Sequence, residues 1–225
     1  MTNMSTIKIQ QLIAKRLLKT MISTKDTVYA NPFRQAIVAG GAPRNWYMNR
    51  VANDIDIFLQ VPDTFLEADD YERGIYQSLF YAGVYKDFKS YDDKNRIYKL
   101  GKDYHAATEE LDPYTGSDPS IIGVWEGIYV AATDIEIKVQ FVVVKSNQQQ
   151  LTHLYDKFPT DISKVAFDET GTILASEEFL DCVQNETIVY DMDYMSQSYL
   201  DKLRTHFPRF STVPKYSKLW FRIFR

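Results

Sequence analysis

A chain of 225 residues suits one domain with a small appendage, or at most two small domains. With 45% hydrophobic and 25% charged residues it has the balance of an ordinary globular protein, which excludes collagenous, fibrous and wholly disordered chains. The net charge is −4, and no run approaches the ~20 apolar residues of a membrane-spanning helix, so no membrane partner is expected.

Apolar residues Ile9, Leu12, Ile13, Leu17 and Leu18, separated by Lys and Gln, predict a helix over 7–21. The same stretch mixes Lys8, Lys15, Arg16 and Lys19 among its apolar residues, unlike a secretory signal. Asn31-Pro32 marks a break. Ala36 to Ala39 is a short apolar run entering Gly40-Gly41, a buried strand leading into a tight turn. Pro43 suits the first turn of a helix through Trp46 and Met48. Asp54 to Gln60 alternates polar and apolar, the period of a strand.

Thr64 to Val84 reads as a helix with a Thr64/Glu67 capping box. Residues 85–120 are polar and Tyr-rich, a long loop with a short strand over 96–100. Ile121–Val130 and Asp134–Val144 predict a hairpin turning at 131–133. A short helix is expected over 147–156, a hairpin around Asp168–Gly171, and helices over 177–184 and 196–207. The mixture lacks a regular βαβ alternation, so the expected class is α+β, a small mixed sheet with helices on one side.

Charge is unevenly spread. Lys202 to Arg225 carries seven Lys/Arg and no acid, leaving the first 201 residues at net −11. A basic tail on an acidic body suits either an anionic partner such as RNA or docking on its own body. The single cysteine, Cys182, excludes an intrachain disulfide and Cys/His zinc patterns, which fits a reducing cytoplasm.

The chemistry concentrates in residues 40–56. Glycines at a turn let backbone N–H groups approach a phosphate, and the following helix adds a favourable dipole. Asp54 and Asp56, two apart on a strand, point to one face and suit hard divalent cations such as Mg²⁺ or Mn²⁺. Gly-Gly-x-x-Arg followed by Asp-x-Asp resembles the nucleotidyltransferase superfamily that includes DNA polymerase β. It is most similar to the head domain of CCA-adding enzymes and bacterial poly(A) polymerases, on Gly40, Gly41, Arg44, Asp54 and Asp56. The Ala-Pro-Arg-x-Trp-Tyr variant is similar to small phage-encoded nucleotidyltransferases, which implies a host cytoplasm. Phe158 to Gly171 resembles the family segment that follows the third catalytic strand, with Asp161 in its acidic position.

Two positions depart from the family pattern. Asn45 stands where the family has Asp. Gln140 stands where a third carboxylate is expected, with Glu136, further back on the same face, as the substitute. The resemblance implies transfer of a nucleoside monophosphate from an NTP to a hydroxyl. Asp54, Asp56 and Glu136 would be catalytic, with Asp54 and Asp56 the metal ligands. Gly40, Gly41, Arg44, Arg50 and Gln140 would lie at the nucleotide. Competing readings are a degenerate binding or regulatory protein and a toxin-like enzyme that nucleotidylates tRNA or protein. Trp46, Tyr47 and the tyrosines at 71, 76, 81, 85, 91 and 98 read mainly as packing, and the histidines as non-catalytic. The expected organisation is an N-terminal helix (1–30), a nucleotidyltransferase core (31–175) and a helical C-terminal appendage with the basic tail (176–225).

Overall fold

A computed structural model describes residues 3–23, 33–62, 68–81, 83–84, 96–102, 121–130, 135–146, 154, 158–192 and 194–215. The elements are α1 (Asn3–Ser23), β1 (Gln35–Ala39), α2 (Gly41–Tyr47), β2 (Asp54–Val61), α3 (Ala68–Tyr81), β3 (Arg96–Lys102), β4 (Ile121–Val130) and β5 (Glu136–Lys145). A 3₁₀ turn (Asp161–Ser163) leads into β6 (Val165–Phe167) and β7 (Ile173–Ala175). The chain continues through α4 (Glu177–Asn185), β8 (Thr187–Asp191), α5 (Gln197–His206) and β9 (Ser211–Lys215).

Seven strands form one mixed sheet in the order β3-β4-β5-β2-β1-β6-β7. Only β2 and β5 run parallel; the other neighbours are antiparallel. The protein is therefore α+β with a mixed sheet. Period-2 alternation gives each strand two faces. Ile55, Ile57 and Leu59 of β2, Val139 and Phe141 of β5, and Trp125 of β4 meet Leu17, Leu18 and Met21 of α1, Trp46 of α2, and Ile75 and Leu79 of α3. The opposite face buries Phe58, Val142, Val124, Ile37 and Ala166 against Leu154 and Phe158. A third cluster gathers Ile162, Val165, Phe179, Cys182, Ile188, Leu203 and Phe207 around the C-terminal helices.

The third helix begins at Ala68, so the proposed Thr64 cap lies outside the described residues, as do the 131–133 turn and, apart from Leu154, the 147–156 helix. Ser176 and Ser196 cap α4 and α5, each accepting from the backbone N–H three residues on. The C-terminal part is not purely helical: β8 and β9 pair in parallel as a separate two-stranded sheet. Pro214 within β9 argues against a strand, since it cannot donate to a ladder. It is tolerated here because, among the described residues, β9 pairs on one side only. Among the described residues no helix is long and apolar enough to cross a membrane.

Candidate active site

The turn between β1 and α2 has a conformation that needs glycine. Gly40 has φ 79° and ψ −117°, a region closed to residues with a Cβ. Its N–H donates to Val165 O at 3.1 Å, tying the turn to β6. Gly40 therefore shapes the turn with its own N–H already engaged, so the donation to phosphate expected of it does not fit this geometry. Gly41 opens α2, where a Cβ would come 3.8 Å from Arg44 Nη2, an ordinary contact.

Helix α2 ends after two turns. Asn49 takes φ 56°, its N–H donates to Trp46 O, and Arg50 N–H donates to Asn45 O at 2.7 Å. This is a Schellman motif, and Asn is among the few residues that tolerate its left-handed position. The motif turns the chain toward β2. The Asn45 side chain links the two halves: its Oδ1 accepts from Arg44 Nε at 3.4 Å and its Nδ2 donates to Val51 O at 3.5 Å. A carboxylate at 45 could not make the second bond.

Buried Gln10 of α1 braces the same region. Its Oε1 accepts from Trp46 Nε1 and Ala52 N–H, both at 3.0 Å, and its Nε2 donates to Ala52 O at 2.7 Å. One side chain thus fixes α2 and the approach to Asp54. Trp46 is core, edge-on to Phe167; Tyr47 is partly exposed, with its ring against Phe179.

Asp54 and Asp56 occupy the first and third positions of β2, on the face that continues through Phe58. Asp54 is half-buried and Asp56 is buried. Asp56 Oδ1 is shielded from solvent and has no hydrogen-bond partner. Burial, then the neighbouring Asp54 charge, pushes the Asp56 carboxyl up to about 8, while Lys138, Arg44 and Lys202 pull the other way. A buried carboxylate oxygen beside a second carboxylate, with no hydrogen-bond partner among the described residues, is a donor set that suits a hard cation.

The parallel register places Lys138 opposite Asp54 and Gln140 opposite Asp56. Glu126 of β4 stands opposite Gln140 on its other side. Gln140 Nε2 donates to Glu126 Oε2 at 2.9 Å, and Lys138 Nζ lies 2.7 Å from the same oxygen. Burial opposes ionisation of Glu126, yet the bonds from Lys138 and Gln140 hold it below the usual glutamate range. Glu126 is an acid on the site face that the sequence reading missed; only the β4–β5 register reveals it. Its charge is already committed to Lys138.

Glu136 lies elsewhere. It is exposed, pairs with Val130, and is four residues from Gln140, about 13 Å along the strand. The register thus separates it from Asp56, against its expected role as a substitute third ligand. Among the described residues no three His, Cys, Asp or Glu side chains gather closely enough to hold a metal together.

Cations border the pair. Arg44 is buried and forms no ion pair among the described residues. Its Cζ lies over the Phe207 ring, 5.0 Å from the centroid, and Arg50 Cζ lies 5.1 Å from the same centroid. Arg50 Nη1 also donates to His206 O at 2.9 Å. Asp161 starts the 3₁₀ turn and pairs with buried Lys164 at 3.3 Å, with Glu178 on the other side of that ammonium. It is held in a structural ion pair. Of the tyrosines at 71, 76, 81, 85, 91 and 98, only the Tyr76 side chain is described, and it is half-buried.

No protein-family model and no curated protein sequence matches the chain. Solved structures that the chain is similar to include the Thermotoga maritima CCA-adding enzyme complexed with tRNA, at 12% identity and TM-score 0.47, covering 95% of this chain and 40% of that one. A CCA-adding enzyme with CTP has 12% identity and TM-score 0.44, covering 92% and 40%. A tRNA-processing enzyme complex has 12% identity and TM-score 0.43, covering 79% and 40%. The chain spans about two fifths of the length of these structures.

Proposed function

We propose that the chain is a metal-dependent nucleotidyltransferase that moves a nucleoside monophosphate from an NTP to a hydroxyl, with an RNA 3′ end as acceptor. One observation carries the reading. Among the described residues, a carboxylate pair on a strand end includes a buried oxygen with no hydrogen-bond partner, and a buried arginine with no ion pair acts on the same carboxyl. A hard divalent cation is the chemical match for two such carboxylates, so Asp54 and Asp56 would hold Mg²⁺ or Mn²⁺. A bound cation supplies Lewis acidity toward phosphoryl oxygens and lowers the pKa of an attacking hydroxyl.

The remaining work falls to this chain's own residues. Gly40 sets the turn that presents the Gly41 end of α2 to the site. Arg44 and Arg50 carry fixed positive charge suited to triphosphate oxygens. The acceptor oxygen bonds to the α-phosphorus, pyrophosphate leaves with the bridging oxygen, and the hydroxyl proton passes to solvent. No histidine is needed as a base. RNA is the favoured acceptor because of the basic residues between Lys202 and Arg225.

A second reading has a specific observation behind it. Among the described residues no third acidic side chain gathers with Asp54 and Asp56 closely enough to share a metal, and Gln140 stands opposite Asp56. A protein that binds NTP without turning it over would fit that deficit. Incubation with each labelled NTP and Mg²⁺ or Mn²⁺, with total RNA, mixed protein or no acceptor, separates the readings. Label in one pool supports transfer and names the acceptor class. NTP binding with no label in any pool supports the binding protein.

A further inference from the structure

Phe207 stands at the C-terminal end of α5, buried in the third core cluster. Its place is fixed from several sides. Its N–H donates to Leu203 O at 2.8 Å, its carbonyl accepts from Phe210 N–H at 2.9 Å, and the Phe210 ring meets it edge-on at 5.4 Å. Two guanidiniums from the 40–56 segment rest on this one ring: Arg44 Cζ is 5.0 Å and Arg50 Cζ 5.1 Å from its centroid. Arg50 Nη1 is tied to the same helix end by its bond to His206 O at 2.9 Å. The Arg44 guanidinium also lies at the glycine turn, since a Cβ on Gly41 would come 3.8 Å from its Nη2. Arg44 thus joins the turn to a ring supplied by the C-terminal part of the chain.

What holds an arginine decides what it can still bind. A carboxylate partner neutralises the charge and occupies the N–H fork. An aromatic face attracts the cation through its quadrupole and takes neither its charge nor its hydrogen bonds. Among the described residues neither Arg44 nor Arg50 forms an ion pair. Each spends one side-chain donor there, Arg44 Nε on Asn45 Oδ1 at 3.4 Å and Arg50 Nη1 on His206 O. Most of each five-donor fork is left for a ligand. The two centroid distances keep these like charges within roughly 10 Å of each other, an arrangement that an anion relieves.

We propose that Phe207 is a positioning residue for the nucleotide: its ring holds the Arg44 and Arg50 guanidiniums in place to grip the triphosphate, so that the phosphate site of residues 40–50 is completed by the C-terminal part of the chain. The inference rests on the nucleotidyltransferase reading above. Phe207 acts through the arginines and touches no substrate itself. Its face orients two cations without neutralising either, which a carboxylate in its place would do.

The test is calorimetric titration of the full chain, in Mg²⁺ and without acceptor, with ATP, CTP, GTP and UTP and then with the monophosphate of the tightest binder. Two changes at position 207 are compared at a temperature where circular dichroism shows both proteins folded. Phe207→Leu keeps an apolar side chain and removes the ring. Replacing Phe207 by 3,4,5-trifluorophenylalanine keeps the shape of the ring and drains its face of negative charge, and it carries the test alone where Phe207→Leu does not fold. Triphosphate binding should weaken roughly 5–10-fold in Phe207→Leu and roughly 2–5-fold with the fluorinated ring. Monophosphate binding should change by less than about twofold in both. A merely structural role predicts wild-type affinity with the fluorinated ring, because its shape is kept. Wild-type triphosphate affinity in either folded protein overturns this inference alone, and so does an equal loss for tri- and monophosphate. If the wild type binds no nucleotide, the functional reading falls and takes this inference with it.

Discussion

Gln140 stands directly opposite Asp56 across the parallel β2–β5 pair, yet its amide turns away and donates to Glu126 at 2.9 Å. The amide adds no negative charge between two ionisable carboxyls, those of Asp56 and Glu126. Gln140→Glu puts a third carboxylate between them. The metal-free protein should lose stability, by about 1–3 kcal/mol, as a buried charge loses its partners. Divalent cation should then raise the melting temperature more than in wild type. Thermal melts with and without saturating Mn²⁺ read both effects. An unchanged metal-free melt would show that Asp56 and Glu126 do not sense position 140.

The Asp56 carboxyl makes the metal-free protein sensitive to pH. Its folded value is raised from 3.8 to about 8, so between those values the folded state holds more protons than the unfolded one. Stability from this group is therefore present at low pH and lost as pH rises through about 8. Asp56→Asn should remove that slope and raise the melting temperature near pH 8, at about 2–4 °C per kcal/mol for a chain this size. Metal must displace the proton, so Mn²⁺ affinity should rise by up to about tenfold per pH unit below the Asp56 value. A pH-independent Mn²⁺ affinity would contradict this picture of the site.

Gln10 gives three hydrogen bonds to Trp46 and Ala52 from a buried position. Gln10→Leu strands two donors and an acceptor and should cost about 2–4 kcal/mol. Since Ala52 leads into Asp54, turnover should fall beyond what the loss of folded protein explains. Chemical denaturation and activity per folded molecule separate the two effects.

Gly40→Ala forces a Cβ into a backbone conformation that only glycine adopts freely. The expected cost is about 1–3 kcal/mol, with a drop in NTP affinity as the turn shifts. Gly41→Ala, where a Cβ meets only an ordinary contact, is the matched comparison and should be milder.

The site was legible where its signals are local. The Gly-Gly turn and the Asp-x-Asp alternation each span a few residues, and strand period alone puts both carboxylates on one face. The two C-terminal helices were legible too, expected over 177–184 and 196–207 and found at Glu177–Asn185 and Gln197–His206. Glu126 was not, because Gly-Val-Trp-Glu-Gly carries no chemical pattern until β4 is set in register against β5. The shared Phe207 ring was hidden by separation: Arg44 and Phe207 are 163 positions apart. Face alternation puts Glu136 on the side of Gln140, but the four residues between them span about 13 Å, two pleat pairs rather than one. Strand β9 was obscured by Pro214, whose meaning depends on pairing at one edge only.

RNA binding through the tail is open to a separate check. If Lys218, Arg222 and Arg225 contact phosphates, replacing all three by Gln should reduce the slope of log affinity against log salt by about 2. An unchanged slope would remove the tail from the interface.

The most direct measurement of the central claim is transfer of label from α-labelled NTP by wild type and by the Asp54→Asn/Asp56→Asn protein, with the same acceptor pools and Mg²⁺. The account predicts label in one acceptor pool with wild type and none with the double variant, while the variant remains folded. Equal labelling by both proteins would show that these two carboxylates are not the catalytic centre.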